Sequence, residues 1–116
     1  LEAIALQSRD VLVAMQKDAG IVLSGLRVDG GAAASDLLMQ IQADVLGAPV
    51  VRPKVLETTA LGAAYLAGLS CGVYSGTKEL AAQWRVERTF HPTMARDRAA
   101  ELMANWEHAV RQTVAP

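Results

Sequence analysis

A chain of 116 residues with 52% hydrophobic and 20% charged side chains is long enough to bury one core and reads as globular. A net charge of −1 and 4% aromatic content argue against a broad basic or base-stacking surface, so neither nucleic acid nor anionic lipid is expected as a partner. The single cysteine, Cys71, allows no intrachain disulfide and fits a cytoplasmic, reducing setting; it lies in an apolar segment and reads as a small core residue.

In chain order, Leu1 to Gln16 is helical, with Ile4, Ser8, Val11, Leu12 and Met15 on one face and Gly20 as its stop. The chain opens on Leu1, not Met, with that pattern already under way, and so reads as a fragment of something longer. Ile21 to Val28 is short and rich in branched residues, the mark of a buried strand. Leu37, Leu38, Ile41, Val45 and Leu46 recur at helical spacing until Gly47 and Pro49 end the run. Val50 to Arg52 reads as a second strand, closed by Pro53. Thr58 or Thr59 caps a helix from Ala60 to about Gly72. Thr59 to Tyr74 is the most apolar stretch, shorter than the roughly 20 residues a membrane span needs, and is expected to be a buried helix. Its small residues, Ala60, Gly62, Ala63, Ala64, Ala67 and Gly68, fit either close packing on the sheet or a moving interface between domains. A short helix is expected over Lys78 to Gln83, an extended segment over Trp84 to Phe90, and a loop at His91-Pro92. Residues 93–116 carry a C-terminal helix with Ala99, Leu102, Met103, Trp106, Ala109 and Val110 on its apolar stripe. Trp84 and Trp106 read as core anchors, and Arg85, Arg88, Arg96 and Arg98 as a scattered solvated set.

Two strands joined by one crossover helix form a parallel βαβ unit, which is α/β architecture. Two strands are too few for an independent parallel sheet, so this sheet is expected to be incomplete, with an uncovered strand edge and bare apolar faces through which the chain dimerises.

The most telling stretch is Val28-Asp29-Gly30-Gly31-Ala32-Ala33-Ala34-Ser35-Asp36, an apolar run ending in an acid and two glycines just before a helix. Strand, glycine turn and helix bring backbone close to a nucleotide. Neither G-x-G-x-x-G nor G-x-x-x-x-G-K-[ST] is present, and no Lys or Arg lies between Val28 and Val51. Asp29 and Asp36 flank the turn and would repel a bare polyphosphate, opposed only by the helix dipole at roughly 0.3–1 kcal/mol. The turn therefore suits ribose or adenine better than phosphate, with Gly30 and Gly31 free of Cβ atoms and Ser35 placed to cap the helix. An ordinary capped tight turn is the alternative. His91 and His108 are isolated from any second ligand at metal spacing, so no metal is assigned.

The segments LRVDGGAAASDLLMQIQADVLG (Leu26 to Gly47), VVRP (Val50 to Pro53) and ETTALGAAYLAGL (Glu57 to Leu69), preceded by QSRDVLVAMQKDAG (Gln7 to Gly20), together resemble the C-terminal end of the glycerol kinases, a branch of the FGGY carbohydrate kinases in the actin-like ATPase (ribonuclease H-like) superfamily. The resemblance runs from about residue 1 to about residue 92 and fades in the final helix. It implies a parent enzyme that transfers the γ-phosphoryl of ATP, with Mg2+, to glycerol, giving glycerol 3-phosphate. It also implies that residues 1–116 form part of the C-terminal, adenosine-binding domain, and that the parent is a cytoplasmic homo-oligomer. By resemblance, Gly30 and Gly31 fall in the adenosine site, Gly31 on the glycine that meets the nucleotide. Ser35 falls where Asn is usual. Ser offers one short hydroxyl where Asn offers a donor and an acceptor, so Ser35 is expected to keep the helix cap while backbone groups make most of the adenosine contact. None of Asp10, Asp18, Asp29, Asp36, Asp44 or Glu57 falls on the family's catalytic Asp, so no catalytic residue is assigned and the chain alone is expected to be inactive. Another sugar or polyol kinase of this family, or a non-catalytic domain of the same fold, are the alternatives.

Overall fold

The computed structural model describes residues 1–114. Its elements are α1 (Glu2–Ala19), β1 (Leu26–Arg27), a 3-10 turn (Gly31–Ala34), α2 (Asp36–Leu46), β2 (Val50–Pro53), α3 (Thr58–Ser70), α4 (Thr77–Gln83), β3 (Val86–Phe90) and α5 (Arg96–Val114). The last two residues of the C-terminal helical segment expected over 93–116 lie outside the described residues.

β2 is the middle strand of a three-stranded sheet of order β1-β2-β3. β1 and β2 are parallel, with Leu26 opposite Val50 and Arg27 opposite Val51, as a βαβ unit requires. The extended segment at Trp84 to Phe90 supplies the third strand, which pairs antiparallel to β2 with Val50 opposite Phe90. The register slips between Arg52 and Pro53, where proline has no N–H to give the ladder, and resumes as Lys54 N–H donates to the Arg85 carbonyl (3.0 Å).

The strand expected over Ile21 to Val28 contracts to two residues. The pairing is anchored by the Leu26 N–H to the Pro49 carbonyl (2.8 Å), just before β2, and the Val28 N–H to the Val51 carbonyl (3.1 Å). Residues 21–25 run past the start of β2 and fold back on α1, where the Leu23 N–H donates to Gln16 Oε1 (2.5 Å). The far edge of β1 pairs with nothing among the described residues.

α2 is the hub. Leu38, Met39, Gln42, Ala43, Asp44 and Val45 are all buried, because α1, the sheet and α5 cover it from three directions. Leu38, Met39 and Ala43 pack with Ala5, Ala33, Val50 and Phe90 in one cluster, and Val45 packs with Leu6 and Met103 in another. Ser35 begins the helix and Gly47, at φ 75°, ends it in the left-handed conformation.

Elsewhere the apolar surface stays open. The face expected to bury α1 leaves Ile4, Val11 and Met15 more than half exposed, and the residues α1 does bury are Ala5 and Leu6. α3, expected to be buried, holds no buried residue. A Cβ at Gly62 would meet nothing, whereas one at Gly68 would run into the Tyr74 ring, so among its small residues Gly68 lets a neighbour approach and Gly62 faces open space. Thr58 and Thr59 do not cap it; the Thr58 hydroxyl donates to the Asp29 carboxylate instead. Cys71 is exposed. Trp84 and Trp106 are half-buried rather than core anchors: Arg27 lies over Trp84 at 4.3 Å, and Trp106 Nε1 donates to Asp10 (2.6 Å). On α5, Ala99 and Met103 are buried but Ala109 and Val110 are open, since α2 ends before the helix does. The radius of gyration, 17.3 Å, exceeds the about 13 Å of a compact domain this size.

Asp44 ties the C-terminal half to α2. Its Oδ1 accepts from the N–H groups of Thr93 (2.6 Å) and Met94 (3.0 Å), the Thr93 hydroxyl (3.2 Å) and Gln40 Nε2 (3.1 Å). Burial acts to raise its pKa, but these hydrogen bonds outweigh it and hold the carboxyl below its ordinary 3.8. Asp44→Asn is expected to cost about 1–3 kcal/mol at neutral pH. A depressed native pKa stabilises above the unfolded value and is lost as pH falls through the native one. The gap in urea midpoint between the two proteins should thus be full above pH 3.8 and close below it; a gap independent of pH would remove the charge from the explanation.

Candidate nucleotide site

The glycine turn is fixed at both ends and open in the middle. At its start the Gly30 N–H donates to the Leu56 carbonyl (2.9 Å). Gly30 has φ 79° and ψ 173°, a region that is essentially closed to residues with a Cβ. The 3-10 turn that follows is closed by Ala33 N–H to Gly30 O (3.1 Å) and Ser35 N–H to Ala32 O (3.2 Å). Ala33 is buried in the core, whereas Gly31, Ala32 and Ala34 are exposed. A Cβ added at Gly31 would meet nothing within 4 Å. Ser35 Oγ accepts from the Leu38 N–H (3.3 Å), the expected cap, which leaves its own hydrogen free to donate.

The fold supplies the cations that the local sequence lacks. Arg52, 8% exposed, reaches under the turn from β2. Its Nη1 donates to the carbonyls of Ala33 (3.0 Å) and Ala34 (3.2 Å), its Nη2 pairs with Asp36 (2.8 Å), and its Nε pairs with Glu87 on β3 (2.7 Å). The Glu87 hydrogen bond, aided by Asp36, raises the Arg52 pKa against the effect of burial. Arg88 takes the other Asp36 oxygen (2.5 Å), and both guanidinium groups lie over the Phe90 ring, at 5.1 and 4.6 Å. Asp36 is therefore countered twice, which corrects the repulsion expected from both flanking carboxylates: among the described residues Asp29 has no ion pair, and it accepts from Thr58. Nor are the four C-terminal arginines uniformly solvated, since Arg88 joins this cluster and Arg96 donates to the Asp44 carbonyl.

A crevice of ≈290 Å³ between α1, β1 and α2 reaches the turn at Asp29, Ala32 and Ala33. A larger cleft of ≈570 Å³ lies on the α3–α4 side, walled by Tyr65 and Trp84, and meets the crevice only through Arg27. The structure thus brings Gly30, Gly31 and Ser35 together on one loop, and adds Arg52, Asp36 and Glu87, which sequence spacing did not single out.

The profile of the FGGY family of carbohydrate kinases, C-terminal domain, matches residues 1–71. The chain belongs to the FGGY family of carbohydrate kinases. It is 68% identical, along its whole length, to a glycerol kinase of Methylibium petroleiphilum and 66% identical to one of Leptothrix cholodnii. It spans about a quarter (24%) of those proteins. Among solved structures it is similar to the glycerol kinase of Plasmodium falciparum with ADP (30% identity, TM-score 0.82), covering 99% of this chain and 23% of that one. The xylulose kinase of Rhodospirillum rubrum is also similar (29% identity, TM-score 0.73), with the same coverage of 99% and 23%. These neighbours carry the actin-like ATPase fold, and the mixed sheet of this FGGY chain is an incomplete portion of it.

The two glycines should separate by mutation. Gly30→Ala is expected to cost about 1–3 kcal/mol of stability, because its backbone conformation excludes a Cβ. Gly31→Ala should stay within about 0.5 kcal/mol, because its Cβ enters open space. Equal losses in denaturant midpoint would show that Gly31 also serves the fold.

Proposed function

We propose that the chain is the adenosine-binding C-terminal part of an ATP-dependent glycerol kinase, which transfers the γ-phosphoryl group to glycerol and yields glycerol 3-phosphate. The observation that carries this is the likeness to glycerol kinases along the whole chain, joined to a glycine turn that is open where a ligand would approach. In this reading Gly30 shapes the turn, Gly31 leaves room for the nucleoside, and Ser35 offers its free hydroxyl hydrogen while holding α2. The phosphates lie further along the cleft, toward parts of the kinase beyond this chain. Mg2+ enters this reading with ATP, carried on its phosphates. The exposed small residues of α3 are assigned to a contact that slides as the kinase closes over its substrates. Among the described residues no helix is long and apolar enough to cross a membrane, and a kinase drawing on ATP fits the cytoplasm.

The deciding experiment is ATP-dependent phosphorylation by the whole kinase across glycerol, pentuloses and hexoses. Turnover confined to glycerol supports the reading. Turnover with a pentulose keeps the nucleotide site and replaces the acceptor, and no turnover at all favours a non-catalytic domain. In the same enzyme Ser35→Asn should leave nucleotide affinity unchanged, since backbone groups make most of the contact; a large gain would overturn that division of labour. The chain by itself should turn over no ATP with glycerol present. It should also self-associate through its open apolar surface, where Ile21 is 63% and Val22 91% exposed. A clean monomer at high concentration in sedimentation would count against that association.

A further inference from the structure

We infer that Arg52 is a positioning residue for nucleotide binding, acting through the turn and not by touching the ligand; this rests on the adenosine-site reading above. One nitrogen, Nη1, bridges two consecutive carbonyls, Ala33 and Ala34, at the end of the 3-10 turn. Those carbonyls end a turn too short to satisfy them, and the Ala33 oxygen is bonded in the interior. The rest of the fork fixes where Nη1 can be. Nε is held by Glu87 and Nη2 by Asp36, and the plane lies over Phe90. The turn therefore has two supports, Leu56 at its start and Arg52 at its end, with Gly31 and Ala32 suspended between them. Arg52 also sets the local charge: with Arg88 it occupies both oxygens of Asp36, the first residue of α2. A ligand at the turn then meets the positive end of the α2 dipole with this carboxylate already countered. Lysine cannot reproduce this, because a point charge cannot reach two carbonyls and two carboxylates at fixed angles.

Steady-state kinetics of the whole kinase separate this role from a scaffolding one. The variants are Arg52→Lys, Glu87→Ala, and Arg98→Ala as a control on α5 that pairs only with the exposed Glu101 among the described residues. Arg52→Lys is expected to raise the ATP KM about tenfold, the scale on which the loss of one charge-assisted hydrogen bond acts. The glycerol KM and the control's two constants should stay within about twofold. Glu87→Ala, which keeps the guanidinium but removes one of its tethers, should move the ATP KM in the same direction by less. A lowered thermal midpoint with unchanged ATP KM in Arg52→Lys overturns the inference, as does an equal rise in both KM values. If Arg52→Lys does not fold, Glu87→Ala decides alone, and an unchanged ATP KM there is equally fatal. A wild-type enzyme that uses no nucleotide removes the adenosine-site reading itself, a result distinguishable from either failure because it appears before any substitution is made.

Discussion

A guanidinium group with almost no water around it has to be met by carboxylates and carbonyls, and in this chain those come from three different segments. Arg52 draws its partners from the turn, the first residue of α2, and β3, while itself belonging to β2. Removing one partner would strand a buried charge, at a cost of about 3–5 kcal/mol in comparable buried pairs, although Asp36 and Glu87 are half exposed and water screens part of that. The sheet therefore does more than carry α2: its middle strand reaches through to the backbone of the loop above it. Register matters here as well as charge. Val50 and Arg52 share a face of β2, so the residue that packs the core under α2 and the residue that holds the turn are placed by the same alternation. A slip of one residue would exchange them for Val51 and Pro53.

The second constraint is unequal coverage. α2 is enclosed and the two core clusters form around it, yet α3 and the outer faces of α1 and α5 present apolar side chains to solvent. Leu66 is 70% exposed on α3 and Met15 59% on α1. The polar ties run where coverage is best: Asp44 to the loop before α5, Gln42 to the Ala5 carbonyl, Trp106 to Asp10. The half of the molecule that fixes the glycine turn is thus the half that is packed, and the loosely held half is the one the FGGY reading assigns to contact with the rest of a kinase.

Much of this was legible from sequence, and the failures have physical causes. The helices, their glycine stops and the parallel pairing follow from local period and turn chemistry, which need no knowledge of distant segments. The Ser35 cap was legible for the same reason. What was missed depends on partners far along the chain. β1 shortened because the length of a strand is set by its neighbour. The burial of α3 was overstated because an apolar pattern states what a face wants, not what is present to cover it. Arg52 went unremarked among site residues, although an arginine between Val51 and Pro53 in a buried strand carries a signal: it must find carboxylates. Their identity, Asp36 and Glu87, was not legible, since no spacing rule links positions 36, 52 and 87.

The contrast between Gly30 and Gly31 has a consequence for reshaping specificity. One glycine answers to the backbone, where a Cβ is costly; its neighbour faces space that no described residue fills within 4 Å. In the adenosine site proposed above, position 31 is thus where bulk can be added from the protein side and subtracted from the ligand side. A larger residue there, matched to a nucleotide analogue trimmed at the facing edge, would give a lock recut for an artificial key, with the fold left as it was.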